Sequence, residues 1–257
     1  DIYLGSVFLG LAASTKYNLG LFAITILLAG LHNSAPMQQT IRRLFIAIGS
    51  MATAFIVASP FIILDFTTFW RDINALRNMV SQGGITDLGR GWLYYPWFTL
   101  PHSLGWPLFV VGLAGTLRWM LRLRLTEIAL LVGLIGYYAI AGSGKAVYFR
   151  YTIPMLPILC LAAGLFVNAL ARTWTHAMLL SLLIAVPTAW SSYSHGLLLT
   201  QVDTRLLAAR WIEDQIPANA KIARCCSASL FGHPQLRLNT TAAKQRMSEQ
   251  SQTGNTF

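Results

Sequence analysis

Two stretches of this sequence, 44–64 and 151–171, each run for 21 residues without Asp, Glu, Lys or Arg. A helix of about 20 apolar residues spans the hydrocarbon core of a bilayer. Charged residues make up only 11% of the chain, against roughly 25% in a typical soluble domain. So few charges cannot cover a water-facing surface, which excludes a soluble enzyme, a disulfide scaffold and a disordered chain. The sequence predicts an all-α polytopic membrane protein.

The apolar runs divide into seven candidate transmembrane helices. Basic residues follow the second, fourth and sixth of them, and the positive-inside rule assigns those loops to the cytoplasmic side of the plasma membrane. The turn at 14–18, the connection 65–102 and the loop 142–150 then lie together on the extracytoplasmic side. The candidate spans are 2–14, 17–31, 44–64, 103–117, 126–141, 151–171 and 177–198, and the orienting residues are Arg42, Arg43, Arg118, Arg122, Arg124 and Arg172.

The chain is therefore expected to form a transmembrane domain over 1–199 and an extracytoplasmic segment over 200–257. Apolar residues between Phe66 and Val80 recur at helical spacing, which predicts an amphipathic helix in the membrane interface. A second amphipathic helix is expected over 203–216. The polar sequence after Cys226 is expected to be incomplete and partly disordered.

The net charge of +10 would favour nucleic acid in a soluble protein, but here the basic residues are scattered among short loops. We therefore expect contacts with membrane lipids and phosphate, and no nucleic-acid partner. The three cysteines have no zinc-site spacing, and the five histidines are widely dispersed. The sequence predicts no metal site and leaves any cofactor unknown.

Three basic residues stand at the ends of apolar spans on the expected outer face. Lys16 occupies a tight turn, and Lys145 and Arg150 follow glycines that let a backbone approach a ligand. Such side chains can extend to the lipid headgroups or bind a phosphate, Lys as a point charge and Arg as a bidentate donor. Their grouping with few acids favours an anion site, beside Tyr17 and Tyr151.

Other polar and aromatic residues of this outer face have two interpretations each. Trp92, Tyr94 and Tyr95 fit an aromatic belt at headgroup level or a platform for a sugar. Asp65 fits a helix cap or a polar member of the site. His102 fits a hydrogen-bonded interface residue or a ligand contact.

Several short motifs occur in an order that resembles one family of bacterial membrane glycosyltransferases. The motifs are 10–17 (GLAASTKY), Ser59-Pro60-Phe61 with Asp65, 91–95 (GWLYY), 104–108 (LGWPL), Lys145 with Arg150-Tyr151, Pro154 and Pro157, and 203–217. This family includes the dolichyl-phosphate-mannose–protein mannosyltransferases and the lipid A aminoarabinose transferases. The resemblance covers roughly residues 2–224.

The resemblance implies a membrane enzyme that moves a sugar, with inversion, from a polyprenyl-phosphate carrier to an extracytoplasmic lipid, glycan or protein acceptor. Lys16, Lys145 and Arg150 would hold the leaving phosphate, and Trp92, Tyr94 and Tyr95 would border the donor groove. The family's general base is an acidic residue in the first outer loop, which we expect upstream of this sequence. No catalytic residue is therefore assigned, and the chain alone is expected to be inactive.

The alternative function is a transporter or flippase for a lipid-linked anion. Transporters commonly show internal repeats and charges in the middle of spans. Neither feature is visible in this sequence, so the transferase is the favoured prediction. A degraded, inactive fragment of a transferase is a third interpretation.

Overall fold

A computed structural model of the chain describes residues 2–31, 36–82, 89–145 and 147–217. The predictions made for Cys225, Cys226 and the polar tail lie outside the described residues. Every regular element within the described ranges is helical, which confirms the all-α class. The chain divides into two compact units, Asp1–Ser191 and Ser192–Phe257, while the expected boundary between residues 199 and 200 stays a prediction.

The described elements follow one another as helices joined by short connections. In chain order they are α1 (Ile2–Thr15), a 3₁₀ segment (Tyr17–Phe22), α2 (Ala23–Gly30), α3 (Met37–Ala58), α4 (Phe61–Leu64), α5 (Phe66–Gln82), α6 (Gly91–Tyr94), a π-helical turn (Tyr95–Thr99), α7 (Leu100–Leu104), α8 (Trp106–Arg122), α9 (Leu125–Ser143), two 3₁₀ turns (Phe149–Tyr151 and Ile153–Met155), α10 (Leu156–Leu170), α11 (Trp174–Leu199) and α12 (Thr204–Gln215).

Four helical segments within the described ranges are long and apolar enough to cross a membrane, and a bent pair raises the number to five. The two helices at the start of the chain are shorter, so the predicted count of seven is not confirmed. The four segments are Met37–Ala58, Leu125–Ser143, Phe149–Leu170 and Trp174–Gln215; the bent pair is Gly91–Leu104 with Trp106–Arg122; the shorter helices are Ile2–Thr15 and Tyr17–Gly30.

Two helices extend beyond the predicted spans because they continue through arginines. The third span was expected to begin at residue 44, but α3 begins at Met37 and carries Arg42 and Arg43 within its first turns. The α8 helix likewise continues to Arg122. Long basic side chains can extend from a helix end to the headgroups, so the backbone need not leave the helix where charge begins.

The third span was also expected to reach residue 64, but α3 ends at Ala58. Pro60 follows two residues later, and the residue before a proline is disfavoured in helical conformation. Ser59 accordingly has φ −135° and ψ 63°. The predicted amphipathic helix then follows as α5, Phe66–Gln82.

A sharp bend separates α7 from α8, inside the span predicted at 103–117. Gly105 takes φ 76°, a left-handed conformation that costs glycine little. The helical segments on either side of it meet at 119°. The Thr188 hydroxyl donates a hydrogen bond to the Leu104 carbonyl, which satisfies a backbone group that the bend leaves free.

Small residues allow the helices of the first unit to pack closely. Ser6, Gly10 and Ala13 form the buried face of α1, which packs against α3. A Cβ atom at Gly115 of α8 would overlap the backbone carbonyl of Ala162 on α10. Close backbone approach at small residues is typical of helix association in membranes, where lipid removes the hydrophobic driving force.

A compact core lies where α7, α8, α9 and α10 meet. Its buried members are Leu100, Leu104, Phe109, Tyr137, Met155 and Leu159. Elsewhere large apolar side chains face outward, with Phe45 of α3 72% exposed and Trp174 of α11 81% exposed. Apolar surface of this extent is rare on soluble monomers, and it supports a multi-pass membrane protein.

In the second unit, α12 confirms the helix predicted over 203–216. Asp203 precedes its first turn and accepts a hydrogen bond from the Arg205 backbone N–H at 2.8 Å. The Asp203 carboxylate also pairs with the Arg205 guanidinium. The helix ends at Gln215, just before Pro217, because proline cannot continue the hydrogen-bond ladder.

Candidate functional site

A cavity of about 440 Å³ lies where the predicted outer segments meet. The turn after α1, the inner face of α5, the end of α9 and the 3₁₀ turn before α10 all contribute to its wall. The sequence placed three of these segments on one side of the membrane, and the structure brings them together. The lining residues are Thr15, Lys16, Tyr17, Asn18, Leu21, Leu76, Val80, Tyr137, Ile140, Ala141, Arg150 and Tyr151.

Lys16 and Arg150 meet at this cavity although 134 residues separate them in the chain. The Lys16 Nζ donates a hydrogen bond to the Arg150 carbonyl oxygen at 3.3 Å. Burial, followed by the nearby Arg150 charge, lowers the pKa of Lys16 from its ordinary value. Two cations therefore face one space in which none of the described lining residues is acidic.

Tyrosine rings support both cations. The Lys16 Nζ lies 5.2 Å from the centre of the Tyr151 ring. The Arg150 guanidinium carbon lies 4.7 Å from the Tyr148 ring centre and 5.9 Å from that of Tyr151. An aromatic face attracts a cation, so these rings hold the two charges in place without neutralising them.

The lining of the cavity includes a polar contact that the sequence did not predict. Asn18 donates a hydrogen bond from its amide nitrogen to the Tyr137 hydroxyl at 2.8 Å. The Asn18 carbonyl oxygen is buried and has no partner within the described residues. The sequence held two signals of this contact: a polar residue near Lys16 and a tyrosine in an otherwise apolar helix. Both are signals because polar groups at membrane depth are costly.

The loop that carries Arg150 is attached to α5. The Lys145 backbone N–H donates to the Val80 carbonyl at 3.1 Å, and Val80 lines the cavity. The Lys145 side chain itself is exposed and is absent from the cavity lining. The structure thus unites two of the three predicted phosphate contacts.

Tyr17 and Tyr151 line the cavity as the sequence predicted. Aromatic contacts with two other helices also hold the Tyr17 ring in position. Its ring meets Phe55 of α3 and Phe69 of α5 edge-on, at centroid distances of 6.3 and 5.6 Å. Tyr17 therefore links the cavity to two helices besides its own segment.

Asp65 acts as a helix cap, which was one of its two predicted interpretations. Its carboxylate accepts a hydrogen bond from the Thr68 backbone N–H at 3.2 Å, at the start of α5. The side chain is exposed and does not line the cavity. A carboxylate at this position also interacts favourably with the helix dipole.

His102 likewise takes a structural position. Its Nδ1 lies 2.6 Å from the Phe98 carbonyl oxygen, so it must be the donor, since a carbonyl oxygen only accepts. Its ring packs against Phe98 at 4.3 Å. His102 does not line the cavity.

The three aromatic candidates separate: none of them lines the cavity that contains Lys16 and Arg150, and their place at a donor groove stays a prediction. Tyr95 is fully buried, while Trp92 is exposed and packs edge-on against Tyr138. Tyr94 lines a different, largely apolar cavity of about 790 Å³ together with Arg90. Tyr94 and Tyr95 are adjacent in the chain, and adjacent residues of a helix do not share a face.

The described residues contain no metal-binding centre. Over the described ranges, no group of three His, Cys, Asp or Glu side chains is placed to hold a metal ion. The cavity instead presents two cations, three tyrosines and apolar walls, an arrangement suited to an anion joined to an apolar group. Comparisons with protein-family models, with curated proteins and with solved structures find no match to this chain.

Proposed function

We propose that this chain binds the donor of a glycosyltransferase reaction, in which a sugar passes from a polyprenyl-phosphate carrier to an acceptor outside the cytoplasm. One observation carries the proposal. Lys16 and Arg150 share a cavity that no acidic residue lines among the described residues. A cation pair of this kind is stabilised by a bound anion.

Burial lowers the pKa of Lys16 most, and the nearby Arg150 charge lowers it further. A phosphate in the cavity would remove the repulsion and return the pKa of Lys16 toward its ordinary value. When the sugar leaves its carrier, negative charge develops on the phosphate. Fixed cations that face this charge lower the barrier of the transfer step.

The remaining walls suit the lipid part of the donor. Leu21, Leu76 and Ile140 make most of the lining apolar, and an isoprenoid chain gains free energy by contact with such surface. Asn18 and Tyr137 supply hydrogen-bonding atoms at the floor. The combination favours an amphiphilic phosphate over a free, fully hydrated anion.

The proposed topology has seven spans. Ile2–Thr15 and Tyr17–Gly30 would act as short spans beside the four longer segments and the bent pair. Lys16 would then lie on the extracytoplasmic face of the plasma membrane, opposite the arginines at the end of α8. Support comes from the positive-inside distribution of basic residues.

A binding measurement tests the proposal. The chain is placed in lipid nanodiscs and titrated with a radiolabelled polyprenyl-phosphate sugar. Lys16→Ala and Arg150→Ala should each weaken binding roughly tenfold or more, because each removes a charge-assisted hydrogen bond. Lys145→Ala is the matched control, since this exposed lysine lies outside the cavity lining, and it should bind like the parent chain.

Unchanged binding in both cavity variants would overturn the assignment. Transport of the donor in liposomes is the second measurement, since the chain alone is expected to be inactive as a transferase. Movement of the intact lipid-linked sugar across liposomes, without loss of its sugar, would favour the flippase instead.

A further inference from the structure

A second cavity, of about 410 Å³, lies at the opposite end of α9. The first cavity touches α9 through Tyr137, Ile140 and Ala141, whereas the second touches it through Thr126, Glu127 and Leu130. A helix rises 1.5 Å per residue, so Glu127 and Ala141 lie roughly 20 Å apart along its axis. Since α9 is long and apolar enough to span a membrane, a bilayer that α9 crosses would have one cavity near each of its surfaces.

Three arginines line this second cavity: Arg118, Arg122 and Arg124. Leu123 stands between the last two and takes the left-handed conformation, with φ 50°. That single residue ends α8 and reverses the chain into α9, so arginines from both sides of the turn reach one space. The Arg118 guanidinium also lies 3.5 Å from the Leu165 carbonyl of α10.

Glu127 gives the cavity a second, independent feature. One oxygen of its carboxylate is buried and has no hydrogen-bond partner among the described residues. No ion pair within 4.0 Å joins it to the arginines in the described part of the chain. A buried acceptor without a donor is unfavourable, and a ligand that brings a donor would satisfy it.

The other lining residues fit a headgroup rather than an acyl chain. Thr126 and Asn168 add a hydroxyl and an amide beside the arginines. Three guanidiniums against one carboxylate leave a net positive charge. Basic pockets between membrane helices are favourable sites for anionic lipid headgroups.

We propose that this cavity binds the phosphate of an anionic phospholipid. Arg118, Arg122 and Arg124 donate hydrogen bonds to the phosphate, and the Glu127 carboxylate accepts one from a headgroup hydroxyl. The proposal does not depend on the donor site at the other end of α9. Its ligand chemistry is a phosphate diester with a hydroxyl-bearing substituent. Phosphatidylglycerol has this chemistry and brings acyl chains that remain in the bilayer.

Native mass spectrometry of the full chain in a neutral detergent tests the site. We expect phosphatidylglycerol to bind at least tenfold more tightly than phosphatidylcholine, whose headgroup carries no net charge. The double variant Arg118→Ala/Arg122→Ala should remove that preference. Arg172→Ala is the matched control, because this exposed arginine follows α10 and is absent from the cavity lining.

Two further arms test the carboxylate and the source of the phosphate. Phosphatidylmethanol has the same charge as phosphatidylglycerol but lacks the hydroxyl. It should therefore bind the parent chain more weakly than phosphatidylglycerol does. The two lipids should bind Glu127→Leu with equal affinity. Inorganic phosphate at millimolar concentration should not displace the lipid. Displacement of the lipid by phosphate would show a free-phosphate site instead, and equal lipid binding in the double variant and Arg172→Ala would overturn the proposal.

Discussion

The two cavities at the ends of α9 have similar volumes, about 440 and 410 Å³, but different chemistry. In the first, a lysine and an arginine rest on tyrosine faces within a mostly apolar wall. In the second, three arginines share the lining with a carboxylate, a hydroxyl and an amide. The first suits an amphiphile that brings its own apolar surface, and the second suits a headgroup whose apolar part stays in the lipid.

The difference shows why the number of basic residues does not define an anion site. Lys16 has a lowered pKa because it is partly buried beside Arg150, so its charge is held at a cost. Arg150 in the first cavity and Arg122 and Arg124 in the second are exposed, so water stabilises their charges. Desolvation strengthens electrostatic interactions, so the burial of a cation matters as well as the number of cations.

The largest expected effect comes from breaking the α8–α10 contact at Gly115, which lines the second cavity. Gly115→Leu places a side chain against the Ala162 backbone and should lower the free energy of unfolding by about 3 kcal/mol. Thermal unfolding followed by tryptophan fluorescence measures this loss. Gly164→Leu on α10 is the control, because a Cβ there meets nothing within 4 Å. Equal midpoints for the two variants would contradict the tight packing.

Paired substitutions test whether the cavities are independent. Lys16→Ala/Arg150→Ala should reduce affinity for the polyprenyl-phosphate sugar about 100-fold, as the sum of two charge-assisted contacts. Arg118→Ala/Arg122→Ala should leave that affinity within about twofold, because distant sites are usually additive. Isothermal titration calorimetry of the sugar donor with both double variants checks the prediction. A loss of similar size in both would mean that the cavities are coupled through α9.

Alkaline pH should affect the first cavity before the second. Below its lowered pKa Lys16 is a cation that attracts phosphate, and as pH rises through that pKa the attraction is lost. Donor affinity should therefore begin to fall at a lower pH than an ordinary lysine, of pKa 10.5, would give. Lys16→Arg should remove this fall, because guanidinium stays protonated. Donor affinity is measured from neutral to strongly alkaline pH for the parent chain and for Lys16→Arg. Coincident curves of affinity against pH would exclude Lys16 as a phosphate contact.

The smallest expected effect concerns Asp65. Asp65→Ala removes the cap of α5 and should reduce stability by about 1 kcal/mol, whereas Asp65→Asn should retain most of the stability. Donor affinity should be unchanged in both, since Asp65 does not line the first cavity. Chemical denaturation and donor binding, measured on the same samples, separate the two roles. A selective loss of binding in Asp65→Asn would restore Asp65 to the site.

The sequence predicted those features that depend on local patterns. Helical spacing of apolar residues predicted α5 and α12, and residue type predicted the capping role of Asp65. The grouping of Lys16 with Arg150 followed from assigning alternate loops to one side of a membrane. These inferences need only periodicity, charge and the direction of the chain.

The features that the sequence did not predict depend on rotation and contact between helices. Tyr95 is buried and its neighbour Tyr94 is not, and which of the two faces inward depends on how this segment packs against the other helices. The bend at Gly105 depends on a tertiary hydrogen bond from Thr188. The burial of one Glu127 oxygen depends on how the ends of α8 and α10 pack beside α9. None of these leaves a periodic signal in the chain.

The close contact between α8 and α10 also constrains the order in which the protein assembles. Because α9 separates these helices along the chain, Gly115 has its partner Ala162 only after both α9 and α10 have been synthesised. Residues of α10 complete the cavity that contains Arg118 and Glu127. That cavity therefore forms only when α10 packs against α8.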